Sequence, residues 1–424
     1  MKVQADLIIT NIGELVTMAG LPPPRRGEAA ARLSIVNRGA IACLDGRVVW
    51  TGPEKELPGS VTAVDDSLEI DVSGRVITPG FVDSHTHPIY SGTRQAEFAL
   101  RAEGADYEEI AAAGGGILNS VERTRNASME ELGETLSHHL FTMLEFGTTT
   151  VEVKSGYGLD METEIRSLRA ATELSKNWPQ TILRTFLGAH EIPSEYRGRP
   201  DDYLDYILKE VLPMVREEGL ADFVDIFCEK GVFTPEQSQR YLKKASDMGF
   251  GARIHADEFH DTGGAAVAVE VGALSADHLL SISEENIGRI ARSDTVATLL
   301  PGTALFLGKP FPPGRKLLDA GAAVAIATDF NPGSCFCESM PFMINLAVCM
   351  CGFTIEEVLT AATVNAASAL GLGDRKGALA PGMDADMILW DLDDHRGIAY
   401  HMAIPDIAEV VVSGHPISTM FEES

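Results

Sequence analysis

A repeated unit limits what this chain can fold into more than any other feature. From Phe81 onward, an amphipathic helix, a glycine that ends it, a short apolar strand and a few polar residues recur in that order. The stretch 130–146, Gly147 and Thr148-Thr149-Thr150-Val151-Glu152-Val153 form one copy. The stretch 241–248, Gly249 and Ala252-Arg253-Ile254-His255 form a second; 316–320, Gly321 and Val324-Ala325-Ile326-Ala327-Thr328-Asp329 form a third. Glycine just past a helix supplies the left-handed backbone that stops it. Eight strands of this kind are predicted, near Phe81, Thr149, Ile182, Phe223, Ala252, Ser275, Val296 and Val324. Strands alternating with helices form a parallel sheet, and eight of them close into a (β/α)8 TIM-like barrel with its chemistry at the C-terminal strand ends.

The flanks read differently. Before about Ile77 the runs Ala5-Asp6-Leu7-Ile8-Ile9-Thr10, Gly39-Ala40-Ile41-Ala42-Cys43, Arg47-Val48-Val49-Trp50-Thr51-Gly52 and Ser67-Leu68-Glu69-Ile70-Asp71-Val72 are strand-like, with turn signals at Asp45-Gly46 and Ser73-Gly74. Leu21-Pro22-Pro23-Pro24-Arg25-Arg26-Gly27 is predicted to be an exposed loop, since proline donates nothing to a ladder. After a helix over 354–370 the strand pattern returns in 377–391 and 409–414. Pairing between the two ends would make a small composite β-sandwich domain from residues 1–78 and 377–424, with the barrel, 79–376, inserted between them. Inserts at 92–125 and 156–164 are predicted as lids or subunit contacts.

At 424 residues and 45% hydrophobic content the chain can bury a large core and a second, smaller one. A net charge of -28 leaves no basic footprint for nucleic acid. No run of about 18 apolar residues occurs, and Met1-Lys2-Val3-Gln4-Ala5-Asp6 does not begin a secretory signal. Six cysteines in so long a chain make no disulfide framework. The expectation is a soluble cytoplasmic protein with reduced thiols, acting on a small molecule and on neither nucleic acid nor membrane.

The strand ends carry the chemistry. In Thr78-Pro79-Gly80-Phe81-Val82-Asp83-Ser84-His85-Thr86-His87-Pro88 the two histidines lie on one side of an extended chain, roughly 6.6 Å apart. The third strand ends in Gly188-Ala189-His190, the fifth in His255-Ala256-Asp257-Glu258, the sixth in Asp277-His278 and the eighth in Thr328-Asp329-Phe330-Asn331. His85, His87, His255 and Asp329 together suit one divalent ion, zinc or iron. Such an ion acidifies a water toward a pKa of about 7, and Asp329 can pass its proton to a leaving nitrogen.

With Pro381-Gly382-Met383-Asp384-Ala385-Asp386, the His85-Thr86-His87 stretch resembles the amidohydrolase superfamily. Tyr90-Ser91-Gly92-Thr93-Arg94, 152–159, 186–191, 255–259 and 328–334 are together similar to its members that open the ring of 4-imidazolone-5-propanoate to N-formimidoyl-L-glutamate in histidine degradation. The resemblance runs over nearly the whole chain. It implies hydrolysis of a cyclic amide C–N bond, one metal ion per chain and a homodimer. It also implies that Arg94 grips a carboxylate tail and that Tyr157, His190, Glu258, Asn331, Gly333 and Ser334 hold the rest of the substrate. His278 would bond the nucleophile or a developing oxyanion. At this point the general base stays open between Glu258, His278 and Asp329.

Competing readings are another cyclic amidohydrolase, a purine or pyrimidine deaminase, or a non-catalytic barrel scaffold. A neutral base offers Arg94 no carboxylate, and a scaffold has no need of the histidine set. Lys154 reads as a structural ion pair, and the neighbours His138 and His139 cannot face one ion from a helix. The pairs Cys335/Cys337 and Cys349/Cys351 depart from the family pattern and read as small buried hydrophobes rather than a thiolate site.

Overall fold

The computed structural model describes residues 2–104 and 115–420. Residues 105–114, part of the insert predicted at 92–125, lie outside the described residues. Five strands come first: β1 (Val3–Val16), β2 (Ile35–Leu44), β3 (Arg47–Pro53), β4 (Val61–Asp71) and β5 (Val76–Pro79). Eight follow between helices: β6 (Phe81–Asp83), β7 (Thr148–Lys154), β8 (Thr181–Ala189), β9 (Phe223–Cys228), β10 (Gly251–Ala256), β11 (Ser275–His278), β12 (Val296–Leu299) and β13 (Val324–Ile326). The last three are β14 (Met387–Trp390), β15 (Ile407–Val412) and β16 (His415–Pro416).

Strands β6 to β13 pair in chain order and in parallel, at the eight places where the sequence predicts strands. The ring closes through its loops, with Asp329 N donating to His85 O at 3.0 Å and His87 N to Phe330 O at 2.8 Å. Beneath that seam Asp83 accepts the Thr328 amide at 3.0 Å and its hydroxyl at 2.6 Å. Closure and site assembly thus use the same two strand ends.

Both faces of each barrel strand are covered, so polar residues on them need partners: those of β7 face the barrel interior, while Arg184 of β8 turns outward and donates to Thr172 at 2.9 Å. On β7 the alternation is strict: Val151 and Val153 pack outward with Leu132, Leu136 and Leu140 of the helix Met129–Glu145. Glu152 and Lys154 take the opposite face, wholly buried inside the ring. That helix starts in a capping box, Ser128 with Glu131.

The other strands form one branched sheet, in the order β16-β15-β14-β5-β1-β2-β3 with β4 also on β1. Its two ends of the chain meet where β5 pairs antiparallel with β14, Ile388 opposite Thr78. Leu7, Ile9, Ile41, Cys43, Ile77, Met387 and Val411 fill its core. The Pro381-to-Asp386 segment is a charged latch: Lys376 Nζ lies 2.6 Å from Asp386 and 2.9 Å from Asp384, and Arg47 binds Asp384 at 2.9 Å. The proline loop differs from its prediction at one residue. Pro22 and Pro23 are exposed, but Arg25 is buried. Its guanidinium donates to the carbonyls of Met18 and Arg32, and its amide to Asn365 at 2.7 Å, which ties the loop to the barrel.

Gly147 joins barrel to sheet and carries a testable constraint. Its φ is +86°, and a Cβ there would sit 2.5 Å from Ile388 Cδ1 and 3.2 Å from Phe81 Cδ2. Gly147→Ala adds a left-handed backbone cost and an overpacked contact, about 2–4 kcal/mol together. Denaturation midpoints should fall accordingly. A midpoint equal to the parent's would mean that this junction yields freely.

Candidate active site

The first histidines come from the seam. His87 Nε2 lies 3.2 Å from His85 Nε2 and 3.3 Å from His255 Nε2. Asp329 Oδ1 is 3.5 Å from His85 Nε2 and 3.4 Å from His87 Nε2. Four donors around one centre at metal-bond length, about 2.1 Å, stand about 3.4 Å apart when tetrahedral. The three histidines, and Asp329 with His85 and His87, match that spacing and fit a divalent ion. His85 Nδ1 bonds Asp277 Oδ2 at 2.8 Å, which keeps its proton on the outer nitrogen and turns the Nε2 lone pair inward. His255 Nδ1 stands 3.0 Å from Asp225 Oδ2, off the hydrogen-bond axis. Burial, with neighbouring Lys154 and histidines, holds His85 far below the ordinary imidazole range; burial and His255 do the same for His87. Neutral imidazole is the form that ligates a metal.

His278 shares a second possible donor group with His85 and Asp329. Burial pushes it down to about 3. Its Nδ1 is 3.7 Å from Glu258 Oε2, whose carboxyl is raised well above the usual range by burial, then by Asp329 and Glu229. Asp329 Oδ2 accepts the Thr303 hydroxyl at 2.5 Å, leaving Oδ1 toward the histidines. Asp257, His278 and Asp329 all have positive φ, 51°, 76° and 53°. Non-glycine residues pay about 1–2 kcal/mol each for that conformation, so the fold spends stability on aiming these strand ends.

On the other side lie the residues assigned to a substrate. Arg94 gives its Nε and Nη2 to one oxygen of Glu97, at 2.9 and 2.7 Å. Its Nη1 rests on Gly333, where a Cβ would come within 2.0 Å. Tyr157 is buried and feels the charges of both Arg94 and Asp329. His190 Nδ1 bonds the Gly156 carbonyl at 3.0 Å, and its ring stacks on His87 with centroids 5.2 Å apart. Asn331 is turned into its own loop. Its Oδ1 accepts Gly333 N at 2.8 Å and Ser334 N at 2.7 Å, and its Nδ2 donates to Asp329 O at 2.7 Å. That side chain shapes the loop which carries both Asp329 and the seat of Arg94.

The sequence profile of the amidohydrolase family matches residues 76–422. An imidazolonepropionase of Symbiobacterium thermophilum is 47% identical over 414 residues, which cover 97% of this chain and 97% of that protein. The chain belongs to the imidazolonepropionase family of amidohydrolases. An imidazolonepropionase of Bacillus cytotoxicus is 44% identical over 411 residues, 97% of this chain and 96% of that one. Two solved structures are similar in fold. An adenosine deaminase from Xanthomonas campestris with bound zinc has a TM-score of 0.71 at 18% identity, covering 98% of this chain and 93% of that one. A 5-methylcytosine deaminase from Klebsiella pneumoniae liganded with phosphonocytosine has 0.72 at 18%, covering 97% of each. At that identity the likeness speaks for the fold alone.

Within this imidazolonepropionase-family site, several residues escape sequence reasoning. Asp277 and Asp225 back the histidines, Arg253 pairs with Asp277, Thr303 holds Asp329 and Glu97 holds Arg94, whereas Lys154 is the buried ion pair the sequence predicts, with Glu152 and Asp225. Charges inside otherwise apolar strands, Asp225 in Phe223-Val224-Asp225-Ile226 and Arg253 in Ala252-Arg253-Ile254, are the available signal. The six cysteines are free; Cys335 and Cys351 are buried, Cys337 is half-buried and Cys349 is exposed. Burial, then the Asp329 charge, pushes the Cys335 thiol far up, which removes its thiolate. His139 bonds Tyr90 and Glu338, at 3.1 and 3.0 Å, and stays out of the donor set. His260 is exposed at the rim, 2.9 Å from Glu229. Among the described residues no helix is long and apolar enough to cross a membrane.

Proposed function

We propose that the protein hydrolyses 4-imidazolone-5-propanoate to N-formimidoyl-L-glutamate, using one zinc or iron ion held by His85, His87, His255 and Asp329. The observation that carries the reading is the convergence of these donors: His87 Nε2 lies 3.2 Å from His85 and 3.3 Å from His255, and Asp329 Oδ1, on the loop that also seats Arg94, lies 3.4 to 3.5 Å from His85 and His87. The 47% identical relative, an imidazolonepropionase, supports the same substrate. When bound, the ion supplies Lewis acidity and an acidified water near neutral pH.

The chain's own groups do the rest. Arg94 takes the propanoate, while Tyr157 and His190 flank the ring, and Ser334 and the Gly333 backbone close over it. The water oxygen bonds to the ring carbonyl carbon as the adjacent C–N bond breaks, and the leaving nitrogen becomes the formimidoyl nitrogen. Asp329 Oδ1 takes the water's proton and returns it to that nitrogen. Thr303 supports the assignment, since its bond leaves a single Asp329 oxygen turned to the reacting centre. Glu258 and His278 hydrogen-bond the ring and the developing oxyanion. The protein works as a cytoplasmic homodimer in this reading.

Turnover of freshly prepared 4-imidazolone-5-propanoate, followed by loss of its ultraviolet absorbance, tests the proposal together with metal content. Expected are chelator-sensitive turnover, about one ion per chain, and recovery on adding zinc or iron. Turnover that survives complete metal removal refutes the mechanism. Inert imidazolone alongside deamination of an aminopurine or cytosine refutes the substrate.

A further inference from the structure

Behind the histidines runs a chain of buried charges that the hydrolysis itself does not use. One oxygen, Glu152 Oε1, is its meeting point. Lys154 Nζ donates to it at 2.7 Å and Thr185 Oγ1 at 2.5 Å, and Arg253 Nε stands 3.0 Å away. From there Lys154 Nζ reaches Asp225 Oδ2 at 2.8 Å, which faces His255. Arg253 Nη2 reaches Asp277 Oδ2 at 3.2 Å, which binds His85. Glu152, Lys154, Asp225, Arg253 and Asp277 have no exposed surface, so water screens none of these contacts. Two arms of equal length leave one carboxylate oxygen and end on the outer nitrogens of two imidazoles.

We propose that Glu152 is a positioning residue for the metal ion, fixing His85 and His255 jointly and thereby setting the affinity of the site. The inference rests on reading those histidines as ligands. Three carboxylates and two cations sum to one negative charge behind the site. Lys154 divides its hydrogen bonds, and Arg253 its charge, between Glu152 and an aspartate. Without the Glu152 charge both cations act on Asp225 and Asp277 alone; Asp277 then accepts less strongly from His85, Asp225 presents less negative charge to His255, and the local sum rises to zero. Weaker imidazole donors and a lost negative charge both disfavour a cation. Glu152 touches neither histidine, so any effect on the ion must pass along the arms.

Glu152→Gln keeps the shape: Oε1 can still accept its donors, and the amide nitrogen replaces Oε2, which has no partner. The test is the zinc and cobalt dissociation constants by chelator competition, with the visible spectrum of the cobalt-loaded protein. Expected are a loss of about 10- to 100-fold in affinity and shifted cobalt bands. Thr185→Val removes the hydroxyl donor from the same oxygen but belongs to neither arm, and should leave affinity and spectrum as in the parent. Parental affinity in Glu152→Gln, or an equal loss in Thr185→Val, overturns the proposal. Should Glu152→Gln not fold, Glu152→Gln/Lys154→Met restores the single negative charge while cutting the His255 arm. Its affinity should still fall about 10-fold, and parental affinity would overturn the proposal. His85→Ala in the same assay separates the two levels: undiminished metal binding there sinks the ligand reading, and this inference with it.

Discussion

Asp329→Asn should lower kcat by about 10³-fold or more while leaving part of the metal bound. The substitution preserves almost everything but proton transfer. Asn is among the few residues other than glycine that accept a φ near the observed +53°, so the strained backbone need not move. The Thr303 hydroxyl, which now donates to Oδ2 at 2.5 Å, can accept from an amide NH2 instead. That exchange keeps the amide oxygen where Oδ1 lies, 3.4 to 3.5 Å from the His85 and His87 nitrogens. An amide oxygen is a weaker ligand than a carboxylate and takes no proton at neutral pH. Metal content should therefore fall partway, KM should change little, and kcat should collapse even at saturating added metal. Activity within about ten-fold of the parent, at equal metal content, would transfer the proton-moving role to Glu258 or His278.

The legibility of this chain in its sequence follows the range over which each signal acts. The barrel strands are readable because each is a short apolar run and five of them, β7, β9, β10, β11 and β13, follow a glycine that ends a helix, a local pattern. His85, His87, His255, His278 and Asp329 are readable because each stands just past such a run. The pairing of β5 with β14 joins residues about three hundred positions apart, and neither strand names its partner. The same distance hides the support of the site. Asp225, Arg253 and Asp277 have meaning only through contacts made across the closed barrel. Asn331 shows a finer limit: the sequence marks it as polar and placed at a strand end, whereas geometry turns its amide into the loop. Arg25 shows another, since prolines around it argue for exposure while one guanidinium satisfies buried carbonyls.

Arg94→Ala should lower kcat/KM for 4-imidazolone-5-propanoate about 10²- to 10³-fold, mostly through KM, with metal content unchanged. Glu97 already occupies the Nε side of the guanidinium. The end-on edge, Nη1 with Nη2, is left for two parallel bonds to a carboxylate. Losing a paired, partly buried charge contact of this kind costs about 3–4 kcal/mol, which gives the stated factor. Gly333→Ala probes the same grip without removing it. No left-handed φ binds Gly333, so its added methyl costs little in the backbone, yet it would fall 2.0 Å from Arg94 Nη1 and force the fork aside. A rise in KM of about 10-fold is expected, and none when Gly333→Ala is placed on Arg94→Ala, where the fork is gone. The substrate's methyl ester, which cannot pair with the fork, should be turned over by the parent and Arg94→Ala alike. A fall in metal content in Arg94→Ala would instead make Arg94 a structural partner of Glu97, and the ester would then separate the variants as strongly as the acid does.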